Sequence, residues 1–326
     1  MNSHPVSVVI PTFNRRQSLD KIISPLLDDT ATGEIVVVID GASDGTFEFL
    51  TDWSSSEPRI RPIFQENAGE ALARRRGIRE ARFDVVLLID DDVEAGPELV
   101  TGHARLHSAS DHLVVLGYMP VLVSSRRKSG QAATILYAQE YEKICKLYEK
   151  DRSQIFRHLW GGNMSIRRAD ALKLGDELEV RLDYHADLRF GLQCESAGLT
   201  AVFDRSLASR HWHERSLRKF AVDAGRSGVA RAEIIREYPD LAPTLDPLLD
   251  ISSRGKLAAR YLSVPWIRPI ALPIAMTLCN WSGRFRAWRL EIALTRVIRK
   301  IETAHAFRKF SKIVARRSVV SQSEFN

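Results

Sequence analysis

Three consecutive carboxylates, Asp90, Asp91 and Asp92, follow directly on the apolar run Val85-Val86-Leu87-Leu88-Ile89. Five β-prone residues without alternation read as a strand buried on both faces, as in parallel sheets. The carboxyl end of such a strand is where open α/β sheets bind ligands. Adjacent carboxylates repel one another and resist ionisation unless something positive stands among them. Oxygen donors of this kind suit Mg²⁺ or Mn²⁺, and an ion held by few carboxylates usually shares its shell with substrate phosphates. A solvated acidic turn is the other reading, and the three residues alone do not separate the two.

The segments that must position this cluster alternate strand and helix. Val6 to Ile10 reads as a strand stopped by Pro11-Thr12-Phe13-Asn14, followed by a helix from about Arg16 to Leu27. Glu34 to Ile39 is a second buried strand ending in Asp40-Gly41-Ala42-Ser43-Asp44-Gly45, with a helix from Thr46 to Trp53 beyond it. A strand near Ile60 to Gln65 leads to Asn67-Ala68-Gly69, and the Ala- and Arg-rich stretch Glu70 to Arg82 is helical. Such alternation implies right-handed βαβ units in an α/β fold, with a mostly parallel central sheet flanked by helices. Farther on, Leu113 to Tyr118 and Met164 to Ile166 read as strands, with a helix from Arg168 to Leu174. Ala132 to Lys150 places Ile135, Leu136, Tyr141, Ile144 and Tyr148 at helical spacing, the pattern of a core-facing helix.

Composition limits the function classes. At 326 residues, with 44% hydrophobic and 27% charged, the chain is an ordinary folded protein with length for one large domain or two small ones. Cys145, Cys194 and Cys279 lack metal-site spacing, which argues against zinc and disulfides and fits a reducing cytoplasm. No basic segment followed by an apolar signal core opens the chain, so no secretion signal is expected. From Arg254 to Asn326 there are 15 Lys and Arg against three Glu, a net of +12. The remainder holds 32 basic and 38 acidic residues, a net of −6, so an acidic body at 1–250 carries a basic helical extension at 251–326. The apolar stretch Leu262 to Trp281 is interrupted by Pro265, Arg268, Pro269 and Pro273, which argues against a spanning helix. Arg284 to Arg317 reads as one long helix with an apolar face of Phe285, Trp288, Ile292, Leu294, Val297, Ile298, Ile301 and Phe310 opposite its basic residues. Two readings of that helix stand level: attachment to the inner face of a membrane, or a cover for the catalytic domain or a homodimer contact. Nucleic acid is not expected, because no recognised motif accompanies the charge.

Taken in order, the motifs resemble glycosyltransferase family 2, over roughly Val6 to Gly228. The resemblance implies the GT-A fold, a Rossmann-like nucleotide-diphospho-sugar transferase architecture. It implies that Pro11, Thr12, Asn14 and Arg15 form a first nucleotide-binding loop and that Asp40 contacts the nucleotide. It further implies that Asn67, Gly69 and Arg74 lie on the nucleotide side, with Asp90 and Asp91 beside the donor. Asp90-x-Asp92 takes the place of a metal-binding D-x-D, with Asp92 and His211 as ligands of Mn²⁺ or Mg²⁺. Trp160, Gly161, Gly162 and Asn163 resemble the acceptor-side turn, and Asp187 falls at the general base. Three departures stand out: Ala186 replaces the usual Glu beside the base, the second loop has one Asp where many members have two, and Arg75 stands where Asn is common. No Gln-x-x-Arg-Trp motif of processive synthases is present, which points to transfer of single sugars.

The residues themselves also admit plainer roles. Asp40 or Asp44 suits a helix N-cap, and Asn67 and Gly69 suit a plain turn. Asp183 rivals Asp187 as base, although the distance to Ala197-Gly198 favours Asp187. His211 and His213 alternate, so on a strand they share a side. Trp160 suits the core as well as a sugar platform, and Arg74 to Arg76 suits a solvated helix face as well as a diphosphate contact. The expected function is metal-dependent, inverting transfer of one sugar from a nucleotide-sugar to an acceptor hydroxyl. A UDP-sugar is the default donor, and a glycan or lipid-linked molecule of cell-surface polysaccharide or glycolipid synthesis is the acceptor. The alternatives are a nucleotidyltransferase making sugar nucleotides, which wants a Gly-rich loop and lysine absent after the first strand, and a non-catalytic nucleotide-sugar-binding protein.

Overall fold

The structure, a computed structural model, describes residues 4–124, 126–174, 184–249 and 254–323. By its internal contacts the chain divides into two units. The first comprises Met1–Leu122, Ala138–Leu182 and Ala186–His213; the second comprises Val123–Tyr137, Asp183–His185 and Glu214–Asn326.

The first unit is built on an eight-stranded sheet. Its elements begin β1 (Val6–Thr12), α1 (Leu19–Leu27), β2 (Thr32–Asp40), α2 (Thr46–Ser56), β3 (Ile60–Gln65), α3 (Glu70–Glu80) and β4 (Val85–Ile89). They continue with β5 (Val93–Ala95), α4 (Leu99–Ala109), β6 (Leu113–Tyr118), α5 (Ala132–Lys150), β7 (Asn163–Arg167), α6 (Arg168–Lys173), α7 (Ala186–Ser196) and β8 (Thr200–His211). The sheet order is β3-β2-β1-β4-β7-β6-β8-β5. Strands β1 to β4 pair in parallel as expected, β7 runs antiparallel between β4 and β6, and β8 returns parallel to β6. The order reverses between β1 and β4, and the carboxyl ends of those strands flank the crevice where such sheets take ligands. Every residue of β1 and β4 is buried, which is why their sequences are apolar without alternation. On α1, Leu19, Ile22, Ile23 and Leu26 face the sheet and are at most 1% exposed, each contributing about 1.5–3 kcal/mol of burial.

Helix α4 carries no local signal of its start. Its N-cap residue, Glu98, makes no side-chain cap and has φ 54°. Asp29, far away in sequence, accepts hydrogen bonds from the amides of Val100 (2.9 Å) and Thr101 (3.2 Å) and from the Thr101 hydroxyl (2.6 Å). The orphan donors of the first turn are thus satisfied from outside the helix. One turn apart on α4, His103 and His107 point into the core, 0% and 1% exposed. Asn163 Nδ2 donates to the Leu207 carbonyl (3.1 Å), so its Oδ1 accepts from His103 Nε2 (3.0 Å). His103 Nδ1 then accepts from the Ser165 hydroxyl (2.7 Å), whose oxygen accepts from His107 Nε2 (2.8 Å). Asn163 Nδ2 also reaches Ser209 Oγ at 3.3 Å. This buried chain joins α4 to β7 and β8.

The second unit is helical: α8 (Leu217–Glu237), a short α9 (Ala242–Leu245), α10 (Arg254–Leu262), α11 (Arg268–Arg284) and α12 (Trp288–Ser323). Helix α8 packs on α12. Gly228 lies where a Cβ would meet the Thr303 carbonyl and the Phe307 amide, and Thr303 Oγ1 donates to the Ala224 carbonyl at 3.0 Å. By internal contacts α8 falls in the second unit, while the change in charge composition lies at 250–251. The long basic helix expected from Arg284 begins at Trp288, and much of its apolar face turns inward: Ile298 and Ile301 are 0% exposed and Phe307 6%. Bidentate Arg268–Glu302 (2.7 and 2.8 Å) ties α11 to it. Helix α11 forms although Pro273 lies inside it and forfeits one helical hydrogen bond; Pro269 sits in the first turn, where a missing N–H breaks none. Among the described residues no helix is long and apolar enough to cross a membrane.

The histidine pair makes stability depend on pH. Burial pushes His103 down to about 3 and His107 down to about 4, so both fold neutral. The unfolded chain takes up these protons below about pH 6.5, so their contribution is complete above that pH and falls as the pH drops towards the folded values. Each histidine then removes about 1.4 kcal/mol per pH unit. Urea titrations at about pH 7 and about pH 5 are expected to show this loss. His107→Gln keeps a donor for Ser165 and is expected to roughly halve the slope; an unchanged slope would contradict the assignment.

Candidate active site

Four strand ends and the start of α7 meet around the acidic cluster of the first unit. The three adjacent carboxylates turn to different elements, Asp90 to Arg74 and both Asp91 and Asp92 to Arg15. Asp90 Oδ1 accepts from Arg74 Nη2 at 2.5 Å, and Arg74 Nη1 donates to Asp187 Oδ1 at 2.5 Å. Arg74 Nη2 also lies 2.6 Å from Glu70 Oε1, one helical turn earlier. Arg74 is 8% exposed because it stands on the buried face of α3, with Ala73, Gly77 and Ile78. Burial works against its charge, yet Glu70, Asp90 and Asp187 hold its guanidinium well above the usual range. Glu70 is the exposed member of the group: Arg74 pulls its carboxyl down, while the crowding of Asp90, Asp187 and Asp91 pushes it up.

Asp91 turns towards β1. Its Oδ2 accepts from the Thr12 hydroxyl (2.9 Å), and Arg15 Nε lies 3.6 Å from its Oδ1. Burial raises Asp91 to about 6 against the pull of Arg15. Asp92 turns the other way, towards β8, with Oδ1 3.1 Å from His211 Nε2, while Arg15 Nη2 donates to its Oδ2 at 3.4 Å. Burial pushes the Asp92 carboxyl up, but the His211 hydrogen bond and charge, with Arg15 and His213, hold it below the usual range. Two backbone bonds fix this geometry: the Trp212 amide donates to the Asp92 carbonyl (2.8 Å) and the His211 amide to the Pro120 carbonyl (3.1 Å).

Donor atoms of Asp92, His211 and His213 all lie within 4.8 Å of one another. One carboxylate and two imidazoles suit a first-row divalent ion such as Mn²⁺. An octahedral ion with bonds of about 2.1 Å spaces its ligands roughly 3–4 Å apart, so the set fits. His213 was not among the metal ligands expected from sequence. Its signal was the H-x-H alternation, and the structure buries both rings, 4% and 8% exposed, with centroids 4.9 Å apart.

The turn before β7 closes the other side. The Gly161 amide donates to Asp187 Oδ2 (3.0 Å), and the Asp90 amide donates to the Gly162 carbonyl (3.3 Å). A Cβ on Gly161 would meet Asp187 Oδ1 at 2.9 Å, and one on Gly162 would run into Asp90 Oδ2 and Met119 Sδ. Only glycine lets this backbone approach the carboxylates so closely. Trp160 is half-buried and rests on Tyr141, ring centroids 5.1 Å apart. Asn163, expected on the acceptor side, is 1% exposed with its side chain in the histidine network, so it supports the turn from behind. The rival base Asp183 lies outside the described residues.

The nucleotide-side residues form two linked loops. Asp40 is buried at the end of β2; its Oδ1 accepts from the Ala68 amide (2.7 Å) and Gln65 Nε2 (2.8 Å), and its Oδ2 from the Gly69 amide (2.8 Å). Asn67 Nδ2 donates to the Asp40 carbonyl (2.9 Å). Asp40 therefore holds the 67–69 turn in place, and the Gly69 φ of 96° requires glycine. Asp44 takes the capping role, accepting from the Thr46 hydroxyl (2.5 Å) and amide (3.2 Å) and from the Arg16 amide (3.1 Å). Asn14, at φ 53°, accepts from the Ser43 amide (3.0 Å), which joins the loops after β1 and β2. Pro11 is paired with Val38 of β2 but lies past the last β1 residue paired with β4, where the ladder on that side has ended.

The model of the family described as glycosyl transferase family 2 matches residues 7–175, just over half of the chain. Validoxylamine A glucosyltransferase of Streptomyces hygroscopicus subsp. jinggangensis is 36% identical, the match covering 74% of this chain and 62% of that protein. The uncharacterized glycosyltransferase YfnE of Bacillus subtilis is 27% identical over 58% of this chain and 44% of its own length. The chain thus spans less than two thirds of these curated relatives. Among solved structures, the mannosyltransferase PcManGT of Pyrobaculum calidifontis, in complex with GDP-Man and Mn²⁺, aligns with TM-score 0.60 and 15% identity over 94% of this chain and 88% of that one. At that identity the likeness speaks for the fold alone. The family match over more than half of the length, on a sheet of this shared fold, shows that the chain belongs to glycosyl transferase family 2 and has the GT-A architecture.

Proposed function

We propose that the chain transfers a single sugar from a nucleotide-sugar to an acceptor hydroxyl with inversion, with Asp187 as general base and Asp92, His211 and His213 as holders of Mn²⁺ or Mg²⁺. The observation that carries this reading is the pairing of two separate functions by one arginine. Arg74 binds Asp90, next to the metal donors, and Asp187, 113 residues... away in sequence, at 2.5 Å each. A divalent ion bound there supplies Lewis-acid stabilisation of the charge that builds on the departing diphosphate. Thr12 and Arg15 hold Asp91 and so fix the loop after β1 along the donor side. Asp187 keeps lone pairs on both oxygens after accepting from Arg74 and Gly161, enough to take the acceptor's proton. Attack on the face opposite the diphosphate inverts the anomeric carbon. A UDP-sugar is the first donor to test, and the GDP-Man bound by the similar mannosyltransferase places GDP-sugars beside it. The acceptor is a glycan or lipid-linked hydroxyl.

The test is binding and slow hydrolysis of UDP-, GDP- and dTDP-sugars with Mn²⁺ or Mg²⁺. Asp92→Ala and His213→Ala are expected to lose metal-dependent donor binding. Asp187→Asn is expected to bind donor normally while turnover falls about 10²–10⁴-fold. If no donor binds with either ion, the transferase reading fails; donor binding without any turnover in the wild-type chain would mark a nucleotide-sugar-binding protein instead. Arg74→Lys replaces a fork with a single ammonium that cannot bridge two carboxylates in the same geometry. Steady-state kinetics of this variant should show kcat reduced about 10- to 100-fold, the usual effect of removing a group that orients active-site ligands.

A further inference from the structure

Helix α11 of the second unit is built the wrong way round for a helix that faces water. Its buried positions are the small residues Ala275, Cys279, Ser282 and Gly283. Its outward positions are large and apolar: Ile270 is 67% exposed, Ile274 54%, Leu278 49% and Trp281 59%. Trp266 (75%) immediately precedes the helix and Phe285 (78%) caps its end, with the Phe285 ring edge-on to Trp281 at 6.3 Å. Spacings of three and four residues put the helical members on one face. Contiguous exposed apolar surface of this kind marks an interaction site. The sequence pattern had assigned such a face to the following helix, but α12 turns Ile298 and Ile301 inward.

Charge decides what covers the stripe. Residues 251–290 contain Arg254, Lys256, Arg260, Arg268, Arg284, Arg286 and Arg289 and no Asp or Glu. Arg268 is taken up by Glu302, while Arg260, Arg284, Arg286 and Arg289 are exposed, the last three directly following the stripe in sequence. A second copy meeting the same face by two-fold symmetry would set these arginines against one another. Anionic headgroups complement them, and tryptophans near both ends of the stripe match the preference of indole for the headgroup level. No described helix is suited to crossing a bilayer, so the helix would lie in the plane of the interface.

We infer that α11 docks on an anionic lipid bilayer, its apolar face among the upper acyl chains and the neighbouring arginines on lipid phosphates. This inference is independent of the transfer reaction. The full chain is mixed with vesicles of phosphatidylcholine alone or with phosphatidylglycerol, and partitioning is read by flotation. Binding is expected only to the anionic vesicles and to weaken as salt rises. Ile274→Ser with Trp281→Ser should weaken it about 100-fold, roughly tenfold per side chain. Arg284→Gln with Arg286→Gln should weaken it about fivefold for each charge removed. These side chains are exposed, so circular dichroism melting should confirm that the variants fold. Absence of binding to anionic vesicles, or equal binding by wild type and the Ile274→Ser/Trp281→Ser variant, overturns the inference. It is equally overturned if light scattering shows a dimer that this variant dissociates and the vesicles bind neither form, because a second copy then covers the stripe.

Discussion

The site rests on one buried guanidinium. Arg74 holds Asp90 and Asp187 at 2.5 Å each and Glu70 at 2.6 Å while only 8% exposed. Without it, several like charges would share a partly buried pocket, and crowding of that kind makes carboxylates take up protons instead of remaining charged. Removing one partner of a buried ionic group commonly costs about 3–5 kcal/mol, because the other partners are left uncompensated. The three consecutive aspartates can be adjacent because they point in three directions, to Arg74, to Thr12 and Arg15, and to His211. The side chains of one short segment thereby reach three different elements of the fold.

A second constraint holds this arrangement from behind. The glycine turn approaches Asp90 and Asp187 so closely that no side chain fits, and the strand that follows it enters the core through Asn163 and Ser165. Those two residues engage His103 and His107 in one buried hydrogen-bonded chain. Buried polar groups are tolerated when they are mutually satisfied, and such networks fix one arrangement of the elements that share them. Here they tie β7, which follows the turn, to α4 and to β8, which ends in His211. Positions that look chemical in the sequence therefore split into groups that face the site and groups that hold those groups still.

In the second unit α12 turns much of its apolar face inward, and α11 keeps large apolar residues outside. Helix α12 has the length and charge of a surface helix, yet its apolar residues pack inward with Thr303 bonded to α8. Helix α11 has small residues at the positions that meet its neighbours, which lets helices approach closely, and it is left with its bulk outside. Hydrophobic content locates neither face; the pairing of helices does.

Much of this protein could be read from sequence because the information was local. Apolar runs gave β4 and β6 at their observed bounds, and helical spacing gave α5, since burial on one or two faces sets those periods directly. The acidic cluster at the end of β4, the glycine turn and Asp187 likewise stand together in the fold. Helix α4 escaped because its cap is Asp29, 71 residues before Val100, and the histidines it carries showed only their four-residue spacing. Asp40 and Asn163 were legible as residues of interest, and only the fold shows that both hydrogen-bond neighbouring backbone and side chains. Sequence alone determined the order of elements from β1 to β4 and the family pattern, since each depends on near neighbours in the chain. Tertiary structure alone decided which arginine of the 74–76 run reaches Asp90 and Asp187, that the histidine pair meets Asp92, and which helix keeps its apolar face outside. Those outcomes depend on contacts between residues distant in sequence, and local propensity carries no record of them.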